Sequence, residues 1–148
     1  MKENRNEIEI QSTPERVWEI LTDLGKYPEW NPLLCRAEGR LAVGEKTFLT
    51  SRSASNDMNL LCTVTTLEPI RQFSWKFHVY LPLLFTGEHL FKIESINEIR
   101  FRFIDQEIFH GLLVPIQAKN LETNAKPAMI EMGEALKRKV ENEKHSQN

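Results

Sequence analysis

Two residues of this 148-residue chain stand where acid–base chemistry could be done, His89 and Glu107. His89 lies in Gly87-Glu88-His89-Leu90-Phe91-Lys92-Ile93, and strand alternation puts it on one face with Phe91 and Ile93. A histidine on an apolar strand face has three uses. It is a core residue satisfied by a neighbouring strand or helix, a hydrogen-bond partner for a ligand, or a general acid or base near neutral pH. Glu107 has the parity of Phe101 and Phe103, so it either points inward with them or is solvated at a strand end. If both point inward, they form a polar pair able to move protons at a carbonyl compound, which is the chemistry of a cyclase or dehydratase.

Other chemistry finds little footing. The histidines at 78, 89, 110 and 145 lack metal-ligand spacing, so no metal is expected. His110, beside Gly111, reads as a turn residue. There is no glycine-rich phosphate loop and no nucleophile elbow, and no cofactor is expected. Cys35 and Cys62 form no close pair, which fits a reducing compartment better than a disulfide framework. A net charge of −2 gives no nucleic-acid footprint. No apolar run has the length of a membrane span, and MKENRNEIEI lacks the apolar core of a signal peptide. The expectation is a cytoplasmic protein with no nucleic-acid partner and no integral membrane association. At this length, with 41% hydrophobic and 27% charged residues, one globular domain over residues 1–143 is expected, followed by a flexible tail at 144–148.

The elements that must position His89 and Glu107 are legible from periodicity. Asn6 to Gln11 alternates as a half-buried strand. Thr13 can cap a short helix opened by Pro14, with Val17, Trp18, Ile20 and Leu21 as its apolar side. Lys26 to Pro32 holds two prolines and reads as a turn-rich connection that cannot continue a helix. The period then changes to two over Leu34–Leu41, Glu45–Arg52, Met58–Glu68, Arg71–Tyr80, Gly87–Ser95 and Glu98–Gln106, with turns at Gly44 and Asp57. From Val114 to Glu143 the period is helical. Val114, Ala118, Leu121, Ala125, Ala128, Met129, Met132, Leu136 and Val140 share one face. That face stays in phase across Pro127, so one helix with a kink just before the proline is expected, rather than a helix starting there. Strands in hairpin succession, with helices to cover one face, make an α+β domain: an antiparallel sheet of about six to seven strands, one or two short helices after the first strand, and a long C-terminal helix.

Ile8-Glu9-Ile10, then Ser12-Thr13-Pro14-Glu15-Arg16-Val17-Trp18 and the Tyr27-Pro28-Glu29-Trp30-Asn31-Pro32 loop, resemble the opening of the START-like (SRPBCC) superfamily, of the polyketide cyclase/dehydrase and lipid-transport type. Gly87-Glu88-His89-Leu90-Phe91 and Glu107-Ile108-Phe109-His110-Gly111-Leu112-Leu113 are similar to the same family. The likeness covers about residues 5 to 143. It implies a helix-grip fold, a curved antiparallel sheet around the C-terminal helix with an apolar cavity between them, and a small hydrophobic ligand such as a lipid or polyketide. It brings no shared catalytic set.

Under that resemblance the expected cavity lining is Trp30, Phe73, Trp75, Phe77, His89, Phe91, Phe101 and Phe103, facing Ala125, Met129 and Met132. Small residues leave room and methionines adapt to irregular shapes. The alternative is a filled core, and it holds wherever Trp75 and Phe101 reach the helix. Pro32, Leu83, Leu84 and Phe85 are expected at the cavity mouth. The apolar run Leu81–Phe85 also suits plain loop burial or a homodimer contact. Three functions follow: a non-catalytic ligand-binding protein, an enzyme using His89 and Glu107, or an interaction module with a filled core.

Overall fold

The computed structural model describes residues 1–53 and 56–146. In chain order the elements are β1 (Lys2–Gln11), α1 (Pro14–Thr22), a 3₁₀ turn (Leu24–Lys26), α2 (Tyr27–Trp30), β2 (Leu34–Gly39), β3 (Lys46–Ser53), β4 (Asn56–Glu68), β5 (Gln72–His78), β6 (Thr86–Asn97), β7 (Arg100–His110), α3 (Val114–Asn120), a π-helical turn (Leu121–Ala125) and α4 (Lys126–Ser146). The seven strands form one curled antiparallel sheet in the order β1-β7-β6-β5-β4-β3-β2. The long C-terminal helix lies against it. This is the helix-grip arrangement.

Local chemistry accounts for most boundaries. The Thr13 side chain accepts from Arg16 N at 3.4 Å, and Pro14 occupies the first turn of α1. β1 starts four residues earlier than its alternation shows, because the polar stretch Lys2–Arg5 pairs with Gln106–Phe109. β2 stops at Gly39 (φ 120°), where a Cβ would lie 2.5 Å from the Lys46 carbonyl oxygen. Gly44 (φ 87°) makes the expected turn.

Some expectations are corrected. The Tyr27–Trp30 stretch is helical. Pro28 falls in its first turn, where no intrahelical N–H is lost. Tyr27 keeps αR geometry before the proline while its ring is wholly buried and its hydroxyl donates to the Leu21 carbonyl. Asp57 is a β4 residue paired with Arg52 at 3.2 Å, not a turn residue. β7 runs on to His110, which pairs with Thr86, so the turn begins only at Gly111 (φ 128°). The final helix reaches Ser146 and takes in residues 144–146, expected in a tail; residues 147 and 148 lie outside the described residues.

The final helical run carries its proline as the phase required. Pro127 follows directly on the π turn, in which Lys126 N donates to the Leu121 carbonyl, one residue further back than in an α-helix. A widened turn gives the proline ring room and removes the need for its missing donor. The buried Asn4 adds a second donor to the Leu121 carbonyl, at 3.0 Å, and ties the π turn to β1. All nine residues of the expected apolar face are buried or half-buried across the irregularity. Further along, α4 sits so close to β1 that a Cβ on Gly133 would lie 2.9 Å from Asn6 Nδ2. Lys137 Nζ reaches the Glu9 carbonyl at 2.9 Å.

Candidate functional site

Register rules the inner face of the sheet into cross-strand rows. One row is Ile93–Phe103–Ile8, and the next is Phe73–Phe91–Asp105–Asn6. Then comes Trp75–His89–Glu107–Asn4, and last Phe77–Gly87–Phe109–Lys2. The first two rows lie in a filled region. The last borders a hollow one. The row of His89 and Glu107 is the frontier between them.

On the filled side the rings close on one another. Phe73 lies 4.9 Å from Phe91 and 5.4 Å from Trp75, and Phe91 stacks on Phe103 at 6.1 Å. Trp18 of α1 packs edge-on against Phe73 at 5.7 Å. Met132, Leu136 and Val140 of α4 are wholly buried in the same cluster, with Phe101. Met129 is also fully buried. Trp75 and Phe101 belong to the same buried cluster as these helix residues, and neither lines the hollows described below. Phe73, Trp75, Phe91, Phe101, Phe103, Met129 and Met132, expected as cavity lining, therefore stand as core. Trp30 is half-buried and rests edge-on against Tyr27 at 5.4 Å.

On the other side lies a cavity of about 390 Å³ between the sheet and the α3–π-turn segment. Phe77, Phe85, Phe109, Leu113, Leu121 and Ala125 supply apolar wall, and Glu107, Gln117, Asn120 and Asn124 supply polar groups. A Cβ on Gly87 would lie 2.5 Å from the Phe77 ring, so the absence of a side chain there lets that ring lie across its neighbour. The mouth follows from the sheet itself. Pairing of β4 with β5 ends at Thr63–Lys76; beyond it β4 pairs with β3 and β5 with β6. Met58 and Leu60 stand on one side of this parting, Val79 and Tyr80 on the other, and all four border the cavity. They also border a second hollow, of about 480 Å³, with Lys46, Leu61, Thr63, Lys76 and His78; Glu107 lines only the first, and His89, expected as lining, lines neither.

Of the expected mouth residues, Phe85 is buried and lines the interior, while Pro32, Leu83 and Leu84 do not border the cavity. Leu83 is 73% exposed. The Leu81–Phe85 loop is latched to the β7–α3 turn instead, with Leu112 N donating to the Leu83 carbonyl (3.1 Å) and Leu113 N to the Leu84 carbonyl (2.9 Å).

The frontier row carries buried polar groups. His89 is buried, its ring 4.1 Å from Phe91, and Nε2 is hydrogen-bonded to Asp105 Oδ1. Its partner is thus Asp105, not Glu107. Burial opposes charge on His89, but the Asp105 charge and hydrogen bond, aided by Glu107, outweigh it and raise the pKa. Glu107 borders the cavity, and its Oε1 is buried without a hydrogen-bond partner. Burial pushes its carboxyl up to about 7; Asp105 adds to the rise and His89 opposes it. A carboxyl that exchanges its proton near neutrality at a cavity wall can hydrogen-bond a ligand in either state, or pass a proton to it.

Asp105 and Asn4 are the buried polar residues of this region that sequence reasoning missed. Asp105 shares the parity of Phe101, Phe103 and Glu107, so the signal was present. Asn4 shares that of Ile8 and Ile10, but lies before the stretch whose alternation marked the strand.

The model of one family, described as polyketide cyclase / dehydrase and lipid transport, matches residues 1–141. The chain belongs to that family. Solved structures agree on the fold. A protein of Mesorhizobium loti is 19% identical with a TM-score of 0.76, over 95% of this chain and 98% of its own. Norcoclaurine synthase of Thalictrum flavum, in complex with a transition-state analogue, is 14% identical with a TM-score of 0.72, over 97% and 96%. BexL, a di-domain aromatase/cyclase of the BE-7585A biosynthetic pathway, is 14% identical with a TM-score of 0.73, over 95% of this chain and 47% of that one. Among curated proteins none matches the sequence. In this family member, no helix among the described residues is long and apolar enough to cross a membrane.

Proposed function

We propose that this family member binds a small hydrophobic ligand in the cavity between the parted sheet and the α3–π-turn segment. The observation that carries the proposal is the cavity itself. It is walled by Phe77, Phe85, Phe109 and Leu121, opens where β4 and β5 separate, and has a carboxyl on its wall. Apolar walls with few polar groups are the usual form of a small-molecule site. The hollow also favours this reading over an interaction module with a filled core. Cys35 and Cys62 are free thiols, which fits a cytoplasmic site of action. Titration with a fluorescent apolar probe tests the proposal. Saturable one-to-one binding at micromolar concentration is expected, lost in Ala125→Trp, which fills the hollow. A folded Ala125→Trp variant that binds as well as the parent chain would overturn it.

A second reading is an acid–base enzyme of the cyclase or dehydratase kind, and Glu107 is the observation that favours it. A carboxyl with a pKa of about 7 at a cavity wall is suited to proton transfer, and the similarity to an aromatase/cyclase and to norcoclaurine synthase supports testing it. His89 would then act through Asp105 as a positioning residue. A screen of polyketide-like carbonyl compounds should find turnover that Glu107→Gln abolishes. Turnover unchanged in that variant would exclude Glu107 as the acid–base group.

A further inference from the structure

Lys2, at the end of the last row, pairs with Glu122 at 3.7 Å and does not line the hollow. Among the described residues that border it, Asp57 and Glu107 are acidic and none is Lys, Arg or His. Asp57 is exposed at the mouth and paired with Arg52 at 3.2 Å. Glu107 has no such partner. The charged groups facing it are His89 of β6 and Asp105 of its own strand, which are bonded to each other. From β1 it faces Asn4, whose amide donates to the Leu121 carbonyl. The helical side offers the neutral amides Gln117, Asn120 and Asn124. Glu107 Oε1 is buried and has no hydrogen-bond partner. A buried carboxylate oxygen with no hydrogen-bond partner gains most from a cation that shares its burial, and aromatic rings attract cations as well. Phe77, Tyr80, Phe85 and Phe109 are the aromatic residues that line the hollow.

We propose that the cavity selects an amine-bearing amphiphile: an alkyl or arylalkyl ammonium whose head sits on the Glu107 carboxyl and whose body lies along Phe77, Phe85 and Phe109. This rests on the reading of the cavity as a ligand site and adds the ligand's class. A carboxylic acid of the same length would set a second negative charge against Glu107 and be rejected. An alcohol of that length would bind through apolar burial alone.

The test is calorimetric titration of the full chain with octylamine, 1-octanol and octanoate, at about pH 6 and about pH 8. At the higher pH octylamine should bind about tenfold more tightly than octanol, with octanoate weakest. The amine's advantage should shrink at the lower pH, where Glu107 takes up a proton and the amine stays charged, while octanol should be insensitive. Glu107→Gln should erase the advantage and leave octanol affinity in place, which also reports that the variant is folded. Should Glu107→Gln fail to fold, the pH comparison on the parent chain decides alone. Octanol binding with no preference for the amine, or a preference for octanoate, overturns the inference and leaves the cavity reading standing. If none of the three binds at millimolar concentration, the cavity reading falls and the inference with it.

Discussion

Under α4 the sheet presents Phe73, Trp75, Phe91, Phe101 and Phe103, and the helix answers with Met132, Leu136 and Val140. Under α3 and the π turn the sheet presents Phe77 and Phe109, the β5–β6 loop adds Phe85, and the helix answers with Leu121, Ala125, Asn120 and Asn124. The two regions share one sheet and one helical run but differ in what fills the space between. Large rings against long aliphatic side chains close the first. In the second, small and polar helix residues meet strands that have parted beyond Thr63–Lys76, and the space stays open. A π turn and a polar row, His89–Glu107–Asn4, stand where one regime gives way to the other. The open space is therefore set locally, by the side-chain volume on a few turns of helix and by the parting of two strands.

The largest expected difference between the regions is in stability. Trp75→Ala, in the closed half, should cost about 3–5 kcal/mol in urea denaturation, because a wholly buried ring leaves a void that its neighbours cannot fill. Leu113→Ala, on the half-buried wall of the hollow, should cost about 1 kcal/mol or less. Equal costs would erase the contrast. Next comes the frontier. Asn4→Ala removes the buried donor to Leu121 and should cost about 1–3 kcal/mol, with faster amide exchange over residues 117–126 and unchanged exchange over 132–140. Faster exchange in both halves would make Asn4 a general core residue, not a clamp on the π turn.

The effect of pH is specific in sign. The Glu107 carboxyl rises from 4.5 to about 7 on folding, so the folded state holds this proton more tightly. Its contribution to stability is present below about pH 4.5 and is lost as pH rises through about 7. The raised His89 pKa acts in the same direction, lost as pH rises above 6.5 through the folded value. Glu107→Gln should flatten this part of the stability profile. A profile as steep as the parent's would place the titration elsewhere.

Much of this was legible in the chain because periodicity survives folding. Alternation in Phe73–Trp75–Phe77 and Phe101–Phe103 marked the inner face. The phase of Leu121, Ala125 and Met129 across Pro127 marked one continuous helix. His89 was given an inward face and is buried; for Glu107 an inward face was one of two alternatives, and its Oε1 is buried. Periodicity reports a face, however, and not which part of it meets a large partner. That depends on register between distant strands, and register set Phe91 under α4 and Phe77 at the opening. Hence most residues expected around a ligand became core, and His89 found Asp105, its diagonal neighbour on β7, in place of Glu107.

The most direct test is a heteronuclear NMR titration with octylamine, following backbone and methyl signals along the long helix. Shifts are expected at Leu113, Leu121 and Ala125, saturating together, with Met132, Leu136 and Val140 unmoved. Shifts centred on Met132 and Leu136, or none at Leu121 and Ala125, would contradict a site confined to the hollow end.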